Sequence, residues 1–241
     1  MRVLFNISSF LFIRVLIVNI GDYIIPGDGM KKNKRGLVLF DLDSTLIEEE
    51  TIDELAKLAG VEEDVKRITK DAMNGKIDFE ESLRKRVALL KGLPIDSVKG
   101  LIPKLRLTKG AKETIEELKN RGYVVGVVSG GFTIVTEKIK KDLNLDYAYS
   151  NELVVKDGKL TGEVRGRVMS STAKGDILEE IAKRENIDLK DTVVVGDGAN
   201  DISMFKRAGF GIAFCAKEIL KKNADVSIER RDLREILKYV K

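Results

Sequence analysis

The chain has 241 residues, enough for one sizeable domain, and its 43% of hydrophobic residues exclude a disordered protein. Its 43 basic and 39 acidic residues are interleaved, so the net charge of +4 lacks the basic stripe typical of nucleic-acid-binding proteins. Histidine is absent and Cys215 is the single cysteine, which excludes Ser-His and Cys-His nucleophile pairs, His-ligated zinc and internal disulfides.

Cys215 does not fit a Cys-x5-Arg phosphatase motif, because position 221 is a lysine. Its apolar neighbours favour a small core residue instead. A chain with a single cysteine suits a reducing compartment, and we expect the protein to be cytoplasmic. Any chemistry must therefore depend on carboxylates, hydroxyls, amines, amides and backbone groups, with a hard metal ion as a possible addition.

The first 29 residues differ in character from the rest of the chain. Residues 3–20 are apolar, but polar and charged residues interrupt them, whereas a membrane-spanning helix needs about twenty largely uninterrupted apolar residues. No convincing signal-peptide cleavage site follows. A basic run and a regular strand begin just after Met30, and the codons of Gly27-Asp28 would resemble a ribosome-binding sequence. We interpret residues 1–29 as a non-native upstream extension, with a membrane anchor as the alternative.

The first regular element is a short strand. Residues 37–40 form an apolar run, which is typical of a parallel strand buried on both faces. The run ends at Asp41-Leu-Asp-Ser-Thr45.

Residues 51–103 show only helical patterns. Thr51 and Glu54 have the spacing of a capping box, and Gly60 can end the helix that they begin. Three more helices are predicted, over residues 61–74, over residues 78–91 and from Pro94 onward. We expect a small helical insertion, residues 48–106, directly after the first strand.

Strands and helices alternate in the remainder of the chain. Buried strands are predicted at residues 123–128, 192–195 and 211–214, and a hairpin at residues 153–168. Helices are predicted at residues 109–121 and 173–185, and another follows the strand at 123–128 and ends near residue 143. This alternation predicts an α/β fold with a doubly wound parallel sheet, built from residues 30–47 and 107–241. Ligands bind beyond the carboxyl ends of the strands in such sheets.

Polar residues collect at those predicted strand ends or at the start of a neighbouring helix. They are, in chain order, Asp41, Asp43, Ser129, Lys174, Asp197, Asn200 and Asp201. Each motif alone is more often a cap, a turn or a solvated lysine, but together and in this order they indicate a site. Converging carboxylates repel each other unless a cation joins them, and Mg²⁺ accepts carboxylate oxygens, keeps water and bridges phosphate oxygens.

These motifs together resemble those of a known family. Asp41-Leu-Asp-Ser-Thr45, Ser129-Gly-Gly131, Lys174-Gly175 and Gly196-Asp-Gly-Ala-Asn-Asp201 are similar to the four motifs of the haloacid-dehalogenase-like phosphatases. The resemblance runs from residue 36 to residue 241, with the helical insertion as the cap. It implies a Mg²⁺-dependent phosphomonoesterase, and the extended motifs imply hydrolysis of O-phospho-L-serine, the last step of L-serine biosynthesis.

The resemblance also implies roles for four carboxylates. Asp41 would attack phosphorus and form an aspartyl phosphate. Asp43 would protonate the leaving oxygen and then take a proton from the hydrolytic water. Mg²⁺ would be bound by the Asp41 side chain, the Asp43 carbonyl oxygen and the Asp197 side chain, with Asp201 orienting the water around the metal.

Substrate contacts are implied in the same way. Ser129, the Gly130 N–H, Lys174 and Asn200 would contact phosphoryl oxygens. In the cap, the resemblance implies that Glu50 binds the ammonium group of the substrate and Arg86 its carboxylate. Met73 and Phe79 would form the walls of the pocket. The runs Glu48-Glu-Glu50 and Arg84-Lys-Arg86 also offer neighbouring residues for the first two roles.

Two other functions remain open at this point. The same fold acts on other small phosphomonoesters, or transfers phosphate to a second alcohol. A non-catalytic metal- or phosphate-binding module is a third interpretation, but it would be expected to lack Asp41, Asp43 or Lys174. We expect a small-molecule substrate, no nucleic-acid partner and no membrane, and either a monomer or a homodimer.

Overall fold

Short apolar runs form the strands of one sheet. The computed structural model describes residues 34–241, so the interpretation of residues 1–29 lies outside the described residues. The strands are β1 (Gly36–Phe40), β2 (Tyr123–Phe132), β3 (Tyr147–Lys156), β4 (Lys159–Gly166), β5 (Thr192–Gly196), β6 (Phe210–Phe214) and β7 (Val226–Ile228).

The sheet is mostly parallel, as predicted. Its strand order is β4-β3-β2-β1-β5-β6-β7, and only the β3–β4 pair is antiparallel among the described strands. All five residues of β1 are buried, which explains the apolar run without alternation. The strand β2 continues to Phe132 rather than ending near residue 128, with an irregular register after Val128, and β7 was not predicted.

Helices cover both faces of the sheet and fill the insertion. They are α1 (Thr51–Ala59), α2 (Glu62–Met73), α3 (Phe79–Ala88), α4 (Ile95–Leu101), α5 (Ala111–Asn120), α6 (Thr133–Leu143), α7 (Ala173–Glu185), α8 (Ile202–Phe205) and α9 (Glu218–Lys221). Within residues 34–241, none of these helices combines the length and the apolar character needed to cross a lipid bilayer.

The helix ends follow most of the local signals, with one exception. Gly60 ends α1 in the left-handed conformation (φ 70°), and Asp78 caps α3 by accepting a hydrogen bond from the Glu81 N–H at 2.8 Å. The predicted capping box of Thr51 and Glu54 is wrong. Glu50 is the N-cap residue of α1, and Thr51 directs its amide and hydroxyl to Asp43 instead.

The core has one layer on each side of the sheet. Val38 and Phe40 of β1 face a cluster that includes residues of α5 and α6, whereas Leu37 and Leu39 face a cluster that includes residues of α7. This alternation follows from the two-residue period of a strand. Cys215 is half-buried against the first cluster. Both faces of β1 are therefore covered, and its carboxyl end is fixed between β2 and β5.

The helical insertion is anchored on the β3–β4 hairpin. The Gly92 N–H donates to the Leu160 carbonyl at 2.8 Å, the Leu160 N–H donates to the Leu93 carbonyl at 2.9 Å, and the Ile95 N–H donates to the Gly158 carbonyl at 2.9 Å. A third apolar cluster joins the insertion helices to this hairpin. The boundaries of a separate cap at residues 48–106 stay a prediction.

The hairpin contact can be tested by truncating its central apolar side chain. Leu160 is 2% exposed within the third cluster, and Leu160→Ala is expected to lower the free energy of unfolding by about 2–5 kcal/mol. Leu58 on α1 is 42% exposed, and Leu58→Ala is the matched control, with an expected change within about 0.5 kcal/mol. Urea unfolding measures both values, and similar losses in the two variants would contradict the anchoring role.

Candidate active site

A cavity of about 390 Å³ opens at the carboxyl ends of β1, β2 and β5, next to the helical insertion. The predicted site residues that line it are Asp41, Asp43, Glu50, Met73, Phe79, Arg86, Gly130, Asp197 and Asn200. The remaining three, Ser129, Lys174 and Asp201, are buried and do not line it. The structure therefore brings residues from distant parts of the sequence to one edge of the sheet.

Asp41 is held at the end of β1 by three different partners. Its Oδ1 accepts a hydrogen bond from the Leu42 N–H at 2.7 Å and lies 2.8 Å from the Lys174 ammonium. Its Oδ2 accepts from the Asn200 side-chain amide at 3.0 Å. The carboxylate is thus oriented at the cavity wall, with only 3% of the residue exposed.

Lys174 lies between two carboxylates in the buried part of the site. Its ammonium group is 2.8 Å from Asp41 and 2.6 Å from Asp201 Oδ1. Burial by itself would lower the pKa of Lys174, but the charges of Asp201 and Asp41 outweigh it and leave the pKa raised. The lysine therefore stays charged. The contacts of its ammonium group in the structure are the carboxylates of Asp41 and Asp201.

Asp201 has both carboxylate oxygens occupied. Oδ1 binds Lys174, and Oδ2 accepts hydrogen bonds from the N–H groups of Asp197 and Gly198, each at 3.1 Å. Gly196 permits this arrangement, because a Cβ atom there would lie 2.4 Å from Asp201 Oδ2. Burial, followed by the charge of Asp41, raises the pKa of Asp201 to about 7.

Three carboxylates form a cluster suited to a hard cation. Oxygen atoms of Asp41, Asp197 and Asp201 lie within 4.8 Å of one another, and all three residues are buried. Burial and the charge of Asp41 raise the pKa of Asp197. The side chain of Lys217 is half-exposed and lies 3.4 Å from Asp197 Oδ2. Buried oxygen ligands with this unbalanced negative charge fit a divalent metal ion.

Asp43, two residues after Asp41, has different hydrogen-bond partners from the metal-site carboxylates. Its Oδ1 accepts a hydrogen bond from the Thr51 N–H at 3.0 Å and a second one from the Thr51 hydroxyl. Burial, followed by the charge of Glu50, raises the pKa of Asp43 to about 8. This carboxyl group is therefore protonated at neutral pH and can donate a proton.

Glu50 is the acidic residue of its run that faces the cavity. Its Oε1 accepts a hydrogen bond from the Ser44 hydroxyl at 2.8 Å, and Ser44 has the left-handed backbone (φ 58°). Burial raises the pKa of Glu50. Glu48 and Glu49 instead form ion pairs with Arg106, at 3.0 and 2.9 Å.

Arg86 on α3 is the basic residue of its run that lines the cavity. Its Nε donates to the Ser82 carbonyl at 3.3 Å, and it makes no ion pair with a carboxylate in the part of the chain that the structure describes. Burial lowers the pKa of the guanidinium, which nevertheless stays charged at neutral pH. Arg84 is committed elsewhere, because it pairs with Glu80 at 2.7 Å.

Phe79 and Met73 border the cavity from the insertion. A Cβ atom at Gly130 would lie 2.9 Å from the Phe79 ring, so the absence of a side chain at Gly130 permits this contact. Met73, at the end of α2, is 72% exposed. Phe79 therefore packs against Gly130, whereas Met73 lines the cavity with most of its side chain in solvent.

Ser129 and Gly130 lie in the irregular end of β2, which is held by side-chain contacts. The Ser129 hydroxyl accepts a hydrogen bond from the Gly131 N–H at 2.9 Å. The buried side chain of Asn151 donates to the Gly130 carbonyl at 3.1 Å and to the Val168 carbonyl at 2.9 Å. Asn151 thus links the end of β2 to the segment that leads into α7 and Lys174.

Some residues of the site were missed in the sequence. Ser44 lies within the first motif, directly after Asp43, and this position could have suggested a role in the site. Thr51 carried the signal of a helix cap, which concealed its contact with Asp43. Lys217 and Asn151 have no local pattern that distinguishes them, since only the folded chain brings them to the site.

The chain is similar to known hydrolases. A family model described as "Hydrolase: haloacid dehalogenase-like hydrolase" matches residues 36–209. A phosphoserine phosphatase from Methanocaldococcus jannaschii is 67% identical over 212 residues, which cover 88% of this chain and 100% of that protein.

Solved structures give the same similarity. A structure described as a phospho-aspartyl intermediate analogue of phosphoserine phosphatase has a TM-score of 0.83 and 67% identity, and the match covers 86% of this chain and 100% of that one. A substrate-bound phosphoserine phosphatase complex has a TM-score of 0.83 and 67% identity, with 86% and 99% covered.

The raised pKa values predict how stability changes with pH when a chelator is present. The folded protein keeps a proton on Asp43 up to about pH 8, whereas the unfolded chain loses it near the ordinary value of 3.8. The unfolded state therefore binds fewer protons between these values, and stability falls as the pH rises. We expect a lower Tm at pH 8 than at pH 5.5 by scanning calorimetry, with a smaller decrease in Asp43→Asn. A Tm that rises across this window would contradict the assignment.

Proposed function

This chain belongs to the haloacid dehalogenase-like hydrolase family, and we propose that it hydrolyses O-phospho-L-serine to L-serine and phosphate, with Asp41 as the nucleophile. One observation carries the proposal. A single cavity combines the oriented carboxylate of Asp41 and a cation-binding cluster with Glu50 and Arg86, which suit an ammonium and a carboxylate group. From its similarity to phosphoserine phosphatases, the chain is a phosphomonoesterase and a phosphoserine phosphatase.

The first half of the reaction forms an aspartyl phosphate. A carboxylate oxygen of Asp41 attacks phosphorus, and the bond between phosphorus and the serine oxygen breaks. Asp43 donates its proton to that oxygen, so L-serine leaves as a neutral alcohol. The raised pKa of Asp43 supports this role, because the group holds a proton at neutral pH.

The second half of the reaction uses water. Asp43 leaves the first half as a carboxylate, and it then takes a proton from the water that attacks the aspartyl phosphate. Phosphate leaves, Asp41 is restored as a carboxylate, and Asp43 is protonated again. The closeness of Asp43 to Asp41 along the same loop supports both halves.

We propose Mg²⁺ as the metal ion, held by the Asp41 and Asp197 side chains and by the Asp43 carbonyl oxygen. Bound there, it would offset the negative charge of the phosphoryl group. Asp201 would orient the water around the metal rather than bind the metal directly. Its own oxygens are held by Lys174 and two N–H groups.

The remaining groups bind the two ends of the substrate. Ser129, the Gly130 N–H, Lys174 and Asn200 would hold the phosphoryl oxygens. Gly130 and Asn200 line the cavity, and the charge of Lys174 beside Asp41 supports its part in this role. In the insertion, Glu50 would bind the ammonium group of the substrate and Arg86 its carboxylate. Phe79 and Met73 would form the walls of the pocket. Within residues 34–241 the two terminal nitrogens of Arg86 donate no hydrogen bond, which supports a bidentate contact.

We further propose that the enzyme acts in the cytoplasm on this small molecule and completes L-serine synthesis there. The single cysteine supports this placement. The interleaved charges support the absence of a nucleic-acid partner. Either a monomer or a homodimer is compatible with the site.

Phosphate release from O-phospho-L-serine tests the reaction, measured with Mg²⁺, with a chelator and beside p-nitrophenyl phosphate. Magnesium-dependent release that favours O-phospho-L-serine is expected. Asp41→Asn should lower kcat at least about a thousandfold while the circular dichroism spectrum stays unchanged, because the nucleophile is lost. Asp188→Asn is the control, since Asp188 is exposed at the surface. Substantial turnover by Asp41→Asn would mean that another residue is the nucleophile.

Substrate choice is tested by Arg86→Ala against the same two substrates. Loss of charged hydrogen bonds to the serine carboxylate should lower kcat/KM for O-phospho-L-serine about 10- to 150-fold, with little change for the aryl phosphate. Arg84→Ala is the matched control, because Arg84 is bound to Glu80. An equal loss on both substrates would favour a phosphatase or phosphotransferase for another small phosphomonoester.

A further inference from the structure

Thr51 is buried at the start of α1 and directs both of its polar groups to one oxygen atom. Its N–H donates to Asp43 Oδ1 at 3.0 Å, and its hydroxyl donates to the same Oδ1. The residue is fully buried. A threonine at a helix start commonly accepts a hydrogen bond from the helix backbone. Here it contributes no cap, and α1 begins without a side-chain cap.

The two oxygens of Asp43 are therefore unlike. Oδ1 faces two donors, so a proton on Oδ1 would oppose the donors of Thr51. Oδ2 receives no hydrogen bond from any protein group in residues 34–241. It lies beside the end of β2, because a Cβ atom at Gly131 would be 2.9 Å from Oδ2 and 3.0 Å from the Ser129 hydroxyl.

We propose that Thr51 is a positioning residue, which reserves Asp43 Oδ1 as an acceptor and thereby directs proton transfer through Oδ2. The proposal rests on the function proposed above. In the first half of the reaction the bond between Oδ2 and its proton breaks, that proton joins the serine oxygen, and the bond between phosphorus and the serine oxygen breaks. Thr51 keeps its own proton and touches no reacting atom.

The same helix start links the insertion to the reacting acid. Glu50 immediately precedes Thr51, and it is anchored to Ser44 of the first motif at 2.8 Å. Two consecutive residues of the insertion are therefore Glu50, which is proposed to bind the substrate, and Thr51, which holds the reacting acid Asp43. A displacement of α1 would change both the position of Glu50 and the rotation of the Asp43 carboxyl group.

The leaving group provides the test, because only a poor leaving group needs the proton. Thr51→Val removes the hydroxyl and keeps the N–H and the branched shape. We expect kcat/KM for O-phospho-L-serine to fall about 10- to 100-fold, since general acids contribute about 10²–10⁴-fold and the N–H bond remains. For p-nitrophenyl phosphate, a change below about threefold is expected, because its leaving group departs without a proton. The ratio kcat/KM reports only the steps up to the phosphoenzyme.

A series of alkyl and aryl phosphates makes the test independent of the natural substrate. The plot of log kcat/KM against leaving-group pKa should become steeper in Thr51→Val than in the unchanged protein, and Thr51→Ser should restore the original slope. If the unchanged protein fails to cleave O-phospho-L-serine but the slope still steepens, the proposed substrate is wrong and the role of Thr51 stands.

A structural role would give a different result. Thr114→Val is the control, because Thr114 is also fully buried but lies on α5, and its hydroxyl has no hydrogen-bond partner within the described chain. It should leave the slope unchanged. An equal loss across all leaving groups in Thr51→Val, or no loss, would overturn the proposal. Should Thr51→Val fail to fold by circular dichroism, Thr51→Ala tests the same slope.

Discussion

The site depends on the ion contacts of Lys174, which lies between Asp41 and Asp201 in the interior of the protein. Burying charged groups is costly unless they are paired and hydrogen-bonded. Here the lysine neutralises part of the charge, and backbone N–H groups occupy the second oxygen of Asp201. Because the network leaves little freedom for either carboxylate, Asp41 is oriented before any substrate arrives. Such preorganised charge is a large contribution to catalysis in enzymes generally.

The sheet and the insertion divide the work between them. Parallel strands end at one edge, so β1, β2 and β5 bring the phosphate-related residues together without long loops. The insertion carries Glu50 and Arg86, which line the cavity and are the groups proposed to distinguish one phosphomonoester from another. Its anchoring to the β3–β4 hairpin holds α3, and hence Arg86, against the core. Substrate choice can therefore change through the insertion while the reacting groups stay in place.

The sequence predicted those parts of the structure that depend on local patterns. The buried strand β1 was recognisable because it is apolar on both faces, and the motifs after the strands marked a common edge. The role of Thr51 was not recognisable, because the same residue at the same position is a normal helix cap. The preference for Glu50 over Glu48 and Glu49 came from the resemblance alone, since the pairing of those two residues with Arg106 depends on a contact between distant parts of the chain. The strand β7 has three residues, too few for a clear period.

The balance of charge in the cavity explains why a cation matters for substrate entry. Five acidic residues line the cavity, and among the described residues Arg86 and Lys217 supply the positive charge of its wall. The acidic residues are Asp41, Asp43, Glu50, Asp53 and Asp197. Protonation of Asp43 removes one negative charge, but Asp41 and Asp197 still face the position of the incoming phosphate. A phosphate dianion would be repelled there, and the repulsion is strong because burial weakens screening by water. A divalent cation held by these carboxylates would offset the negative charge at this end of the cavity. Under the proposed function, the same carboxylates would bind the cation and face the phosphate, so electrostatics would favour binding of the cation before the substrate.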